Sequence, residues 1–87
     1  MKTIYKQFIP IDNDPHTFLF AGPVLHVGYQ GPGDDLVFWH EAGIQPGAHR
    51  MFQVFGTGHN IPHSAKYCGT VQVGMFVWHL YEVFAAC

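Results

Sequence analysis

Turn-forming residues interrupt this chain so often that they largely decide its fold class. Clusters of glycine, proline, asparagine and aspartate recur about every 8–12 residues, which is the strand spacing of a β-sandwich or barrel. The longest segment without glycine or proline is 75–87, and its apolar residues fall on both faces of a strand rather than on one helical stripe. No segment therefore favours a helix of ordinary length.

Seven segments between these turns are predicted to be β-strands, because β-branched and aromatic residues dominate them. They are residues 2–9, 16–20, 24–30, 36–42, 49–55, 66–73 and 75–84. Side chains alternate between the faces of a strand, so Leu25, Val27 and Tyr29 of the third strand are expected to share one face. The seventh strand is apolar on both faces, which is typical of a central strand or of one covered by another subunit.

The apolar content is high for a chain of this length. Hydrophobic residues make up 48% of the 87 residues and charged residues only 11%, while so short a chain buries roughly 60–65% of its unfolded surface. We expect a single β domain, residues 1–87, folded as a small antiparallel all-β sandwich or partly closed barrel of about seven strands. We also expect a homo-oligomer, a dimer first, held by aromatic-rich strand faces or an exposed edge.

Charge and the lack of targeting signals argue against several functional classes. Four basic residues and a net charge of −2 form no basic patch for duplex DNA, although one arginine with backbone N–H groups suffices for a small anion. No stretch reaches the roughly 20 apolar residues of a membrane span, and no signal region begins the chain. Cys68 and Cys87 are too few for a disulfide framework, so we expect reduced thiols in a cytoplasmic protein without a membrane partner.

The segment GTGHNIPHSAKYCGT, residues 56–70, separates the fifth and sixth strands. It lacks the third glycine of a dinucleotide-binding fingerprint, so we interpret it first as a crossover loop that begins at a glycine bulge. Gly56 and Gly58 still allow a ligand to approach the backbone, which makes the loop the best place for a binding site. Pro62 leaves a short helical turn within 59–66 open.

The predicted ligand contacts lie in and beside this loop. Arg50 is the only arginine, and its guanidinium either extends from the core edge into solvent or binds an anion through two nitrogens. The loop adds hydroxyl, imidazole and amide groups. The predicted ligand-binding residues are Arg50, Thr57, His59, Asn60 and Tyr67.

Seven histidines raise the question of a metal centre or a catalytic site. Pro62 lies between His59 and His63, and no further nearby ligand completes the four that a structural zinc needs. Cys68 has apolar neighbours, and nothing in the sequence holds it against a histidine as a nucleophile. We therefore expect no cofactor, no metal and no catalytic residue, although metal binding by His59 and His63 stays open.

Four short blocks of the sequence, MKTIYK, VFGTGH, YCGTVQ and VWHLYE, resemble a family of short uncharacterised proteins of tailed phages and prophages. The resemblance covers most of the chain, but residues 11–48 have no clear match. It implies a phage accessory protein that is made in the host cytoplasm and carries no assigned activity.

By analogy with phage proteins of this size, we expect the chain to act by binding. We predict a non-catalytic protein that counteracts host defence, by inhibiting a host defence protein or by sequestering a small anionic signalling nucleotide. Two alternatives from other classes stay open. One is a minor structural or assembly protein of the virion, and the other is a metal-dependent enzyme built on the histidines.

Overall fold

The computed structural model describes residues 2–43 and 46–84. They form seven strands: β1 (Thr3–Pro10), β2 (His16–Phe20), β3 (Val24–Gly28), β4 (Asp35–Ala42), β5 (Ala48–Gly56), β6 (Lys66–Val73) and β7 (Phe76–Val83). These residues contain no helix, which confirms the all-β prediction. A membrane-spanning helix is accordingly not found in the described part of the chain.

The strands form two antiparallel sheets, in the orders β1–β4–β3 and β2–β5–β7–β6. The sheets pack face to face around one hydrophobic core and do not close into a barrel, so the sandwich is the observed form. Leu36 and Phe38 enter the core from the first sheet, and Phe52, Val54 and Leu80 enter it from the second. Alternate residues of each strand supply these side chains, as strand geometry requires.

Four phenylalanine rings form the centre of the core. Phe18 meets Phe38 edge to face at 5.2 Å between ring centroids, and Phe20 stacks on Phe52 at 5.5 Å. Phe38 and Phe52 are fully buried. Phe38 of the first sheet also lies 5.1 Å from Phe52 of the second. Burying one such ring contributes about 1.5–3 kcal/mol, so the contacts of Phe38 with Phe18 and Phe52 hold the two sheets together.

The segment between β5 and β6 is a crossover, as predicted. β7 lies between these strands and is antiparallel to both, so β5 and β6 run parallel to each other. Residues 57–65 must therefore return along the length of the sheet. The loop forms no helix: the Ala65 N–H donates to the Pro62 carbonyl in a single turn.

The predicted extent and face pattern of β3 were wrong. The strand ends at Gly28, and its register against β4 shifts between Val24 and His26. Such a bulge adds one residue and moves the following side chains to the other face. Val24 and Val27 consequently both pack on the core, whereas Leu25 is 45% exposed.

The sandwich has one closed side and one open side. On the closed side β6 passes β3 so closely that a Cβ at Gly69 would lie 2.6 Å from Val27 Cγ2, which explains the glycine there. On the open side the edges of β1 and β2 leave a cleft of about 340 Å³, lined by Tyr5 and Gln7 from one sheet and by Leu19 from the other.

Candidate functional site

The length of β5 divides the predicted ligand residues into two groups. Arg50 lies near the start of the strand and Thr57 follows its end. Seven residues of extended chain span about 23 Å, so one small ligand does not contact both. Tyr67 shares a pocket of about 110 Å³ with Arg50, whereas Thr57 and His59 line a larger hollow at the other end.

Arg50 points into the sandwich and binds a carboxylate of its own chain. Its Nε and Nη2 donate to the two oxygens of Glu82 at 2.8 Å each, and Nη1 donates to the Gly22 carbonyl at 2.7 Å. The guanidinium also lies 4.3 Å from the Phe20 ring centroid. The two-nitrogen anion site expected of Arg50 is thus present, but Glu82 fills it.

Glu82 was missing from the predicted site because its partner lies 32 positions away in sequence. The sequence did contain one signal: Glu82 is two residues from Leu80 on the same strand, so its side chain is expected on the same, core-facing side. The hydrogen bonds from Arg50 lower the pKa of Glu82, and those same hydrogen bonds raise the pKa of Arg50.

Burial raises the pKa of the neighbouring Cys68 thiol, which donates to the Lys66 carbonyl. Cys68 is therefore a packed, protonated thiol, and Cys87 lies outside the described residues.

A row of hydrogen bonds crosses the outer face of the larger sheet. His79 Nε2 is 3.1 Å from Thr57 Oγ1, and His79 Nδ1 is 3.0 Å from Thr70 Oγ1. Thr70 Oγ1 in turn lies 2.6 Å from the Tyr67 hydroxyl. We call these four residues the hydroxyl–histidine row. It connects Thr57 with Tyr67, two predicted ligand residues, through His79 and Thr70, which the sequence did not single out.

The row has a direction because a neutral imidazole donates from one nitrogen and accepts at the other. When His79 Nε2 donates to Thr57, the Thr70 and Tyr67 hydroxyls donate towards His79, and the Thr57 O–H is left to point outwards. When Nδ1 donates instead, the free O–H belongs to Tyr67. The row therefore presents one outward donor and one outward acceptor to whatever approaches this face.

His59 is fixed by the turn that ends β5. Its backbone N–H donates to the Gly56 carbonyl, and its Nδ1 accepts from the Gly56 N–H at 3.2 Å. Gly58 has a φ of +91°, a conformation that favours glycine. Because Nδ1 accepts, the proton of the neutral ring lies on Nε2. Asn60 follows as an exposed residue.

Large apolar side chains reach the surface where β6 turns into β7, and we call Met75, Phe76 and the half-buried Trp78 the aromatic end. Met75 is 84% exposed and Phe76 is 59% exposed. The rings of Phe76 and Trp78 stack at 6.0 Å between centroids. A hollow of about 470 Å³ lies on one side, with Thr57 and His59 on its wall. A second hollow of about 450 Å³ lies on the other side, and Tyr29 and Asp34 line it.

The cleft on the open side of the sandwich has a buried histidine in its wall. His40 is 1% exposed and stacks on Phe20 at 3.8 Å between ring centroids. Its Nδ1 donates to the Glu41 carbonyl, so the neutral ring accepts from the Gln7 amide at Nε2. Both ring nitrogens are thus occupied by protein groups, and His40 acts as a packed polar residue of the core.

The described residues, 2–43 and 46–84, contain no group of three or more His, Cys, Asp or Glu side chains that could hold a metal ion. His59 therefore has no set of metal ligands around it within that part of the chain. The groups available for recognition there are rings, hydroxyls and imidazoles, which bind partners by stacking and hydrogen bonding.

The chain was compared with known protein families. Residues 1–86 match a family described as a domain of unknown function, DUF7352. The chain belongs to this family. Comparisons with curated proteins and with solved structures gave no match.

The DUF7352 description assigns no activity. Three of the sequence blocks described above, VFGTGH, YCGTVQ and VWHLYE, lie in and next to β5, β6 and β7, and are adjacent in one sheet. Together they supply the hydroxyl–histidine row as well as Trp78 of the aromatic end. Sequence spacing did not predict this assembly because β7 comes between β5 and β6 only in the folded sheet.

Proposed function

We propose that the protein is a non-catalytic binding protein whose aromatic end contacts a protein partner. The observation that carries this proposal is the exposed Phe76, which is stacked on Trp78 and stands between two hollows. Hollows beside an exposed ring are the kind of feature that accepts apolar side chains of a partner, and aromatic residues and methionine are enriched in protein interfaces.

The distribution of charge favours a protein over an anionic nucleotide. Among the described residues, neither Lys nor Arg lines either hollow, and Asp34 brings a negative charge to one of them. Two of the basic residues have acidic partners elsewhere: Arg50 pairs with Glu82, and Lys2 lies 3.4 Å from Glu41. A phosphate at the aromatic end would thus lack the arginine or lysine that usually binds it.

The hydroxyl–histidine row complements the aromatic end. Thr57 belongs to the row and also lines the larger hollow. A partner side chain placed in that hollow comes within reach of a group that can donate or accept a hydrogen bond. Apolar contacts then provide most of the affinity, and hydrogen bonds to the row orient the bound side chain, as is common in binding sites.

The biological role we propose for this binding is inhibition of a host defence protein in the host cytoplasm. The resemblance to phage and prophage proteins supports that role. The aromatic end supports only the binding activity and not the choice of partner. Sequestration of a signalling nucleotide is the second candidate, because a base can stack on the exposed face of Phe76 beside Thr57 and His59.

Affinity capture from an extract of the bacterial host tests the protein partner. Phe76→Ser removes the ring, and Leu19→Ser on β2 is the matched control because Leu19 is 60% exposed against 59% for Phe76. We expect the same captured protein with the wild type and with Leu19→Ser, and its loss with Phe76→Ser. A partner retained by Phe76→Ser would show that the aromatic end is not the binding surface.

Thermal shift with a panel of signalling nucleotides tests the second candidate. A ligand that binds the folded protein alone raises Tm in proportion to the logarithm of its concentration. We expect no shift, because the hollows lack a cation. A shift that Phe76→Ser abolishes would replace the protein partner with a nucleotide at the same site.

A further inference from the structure

The four edge strands of the sandwich differ in how well they are protected from pairing. β2 has only five residues, and the registers of β3 and β6 are both broken by shifts. β1 has eight residues, and its register against β4 is continuous from Thr3 to Pro10. Proteins usually blunt exposed edges by shortening or bulging them, or by placing lysine and proline there. β1 is neither short nor bulged, and only Lys6 and Pro10 protect it, so it is the edge most suited to accept another strand.

The backbone groups at this free edge can be identified from the ladder. The Ile11 N–H donates to the Asp34 carbonyl, so Ile11 is bonded to the β4 side. In an antiparallel pair such residues alternate with residues whose N–H and C=O point the other way. Ile4, Lys6 and Phe8 therefore direct their backbone groups to the free edge. Pro10, which has no N–H, belongs to the same set.

The side chains along β1 are also suited to an interface. Ile4 is 61% exposed and Phe8 is 52% exposed on the outer face, while Tyr5 is 55% exposed on the cleft side. Lys6 is the single charged residue of the strand. We propose that a second copy of this chain pairs antiparallel with β1 about a two-fold axis at Gln7, which joins two three-stranded sheets into one of six strands.

The charge of Lys6 excludes one register, and its contact with Phe8 favours the register centred on Gln7. A two-fold axis normal to the sheet keeps the outer faces of both copies on the same side. It lies between the two β1 strands, midway between the two copies of one residue, and that residue defines the register. An axis at Lys6 places Lys6 directly opposite the partner's Lys6, and like charges in that position are destabilising. An axis at Gln7 places Lys6 opposite the partner's Phe8 instead. The Lys6 ammonium already lies 5.3 Å from the Phe8 ring within one chain, so this pairing is chemically compatible.

Cysteine cross-linking of the purified protein tests both the dimer and its register. With the axis at Gln7, two Gln7→Cys residues face each other in a non-hydrogen-bonded pair at about 4.5 Å between Cα atoms, within the roughly 4.4–6.8 Å that a disulfide spans. The two Lys6→Cys residues are diagonal neighbours at about 7–8 Å. We expect mild oxidation to link Gln7→Cys into a dimer, and to leave Lys6→Cys and the wild type unlinked.

A proline variant tests the edge without relying on a new thiol. The Lys6 N–H points to the free edge, so Lys6→Pro removes a donor that the second copy needs and no bond to β4. We expect a dimer mass by light scattering for the wild type and a folded monomer, with an unchanged β-sheet circular dichroism spectrum, for Lys6→Pro. A monomeric wild type, a dimeric Lys6→Pro or a cross-link in Lys6→Cys instead of Gln7→Cys would overturn the proposal. Phe76→Ser should stay dimeric, which separates this result from the test of the aromatic end.

Discussion

The two ends of β5 differ in whether the functional groups around them are buried and bonded within the protein or exposed to solvent. At the Arg50 end, a cation, a carboxylate and a thiol are half-buried or buried and bonded to each other or to backbone carbonyls. At the Thr57 end, the Phe76 ring and the Met75 side chain are exposed to solvent beside hollows. The first arrangement stabilises the fold, and the second leaves groups available to a partner. Chemical reactivity of a residue type thus gives little guidance to function until its neighbours are known.

Of the substitutions that test this comparison, removal of the Glu82 carboxylate at the Arg50 end is expected to have one of the largest effects on the free energy of unfolding. Glu82→Ala leaves Arg50 half-buried without its carboxylate, which we expect to lower the free energy of unfolding by about 3 kcal/mol in urea denaturation. Glu41→Ala is the matched control, because it breaks a surface ion pair with Lys2 and should lose less than about 1 kcal/mol. Equal losses in the two variants would mean that the Arg50–Glu82 pair is no more important than a surface pair.

Acid should remove the stabilisation that the Arg50–Glu82 pair provides, over a definite pH range. The hydrogen bonds from Arg50 hold the pKa of Glu82 below its usual 4.5. A carboxylate with a lowered folded pKa contributes its full stabilisation above the unfolded pKa, and the contribution is lost as the pH falls through the folded value. The free energy of unfolding should therefore decrease below about pH 4.5.

The Glu82→Gln variant has no carboxyl group at this position. Its free energy of unfolding, measured by urea titrations at successive pH values, should therefore fall less steeply with decreasing pH than that of the wild type. Asp12, whose pKa the His16 hydrogen bond lowers, contributes the same acid sensitivity to both proteins. Superimposable slopes for wild type and Glu82→Gln would remove Glu82 as the cause.

The smallest effect on stability should come from the aromatic end. Phe76→Ala loses a stacked contact with Trp78 and little buried surface, so we expect a change of less than about 1 kcal/mol. The same substitution in the core, Phe52→Ala, removes a fully buried ring and should lose about 3–5 kcal/mol. If Phe76→Ala destabilised the protein as much as Phe52→Ala, the aromatic end would be structural rather than a binding surface.

Local sequence was sufficient for most of the strands. β2 and β6 were predicted to the residue, because turn-forming residues flank both segments. The two apolar faces of β7 indicated either a central strand or one covered by another subunit, and β7 lies centrally between β5 and β6. β3 failed because a bulge depends on the pairing with β4, and no residue in VLHVG marks it.

The candidate site was less predictable than the fold. Loop composition pointed to Thr57 and His59, which do line the larger hollow. The sequence grouped them with Arg50, because residues close in sequence were taken as close in space, although a full strand separates the two ends. His79 and Thr70 reach Thr57 and Tyr67 only through the registers of β5 and β6 against β7.

The sequence by itself determined that this chain folds into seven antiparallel strands with an aromatic core, since turn chemistry and side-chain alternation act over a few residues. The tertiary structure alone decided which carboxylate meets Arg50, which hydroxyls meet His79 and which rings stay exposed. Those contacts join residues that are far apart along the chain. Strand order and register, which arise from packing of the whole core, bring them together.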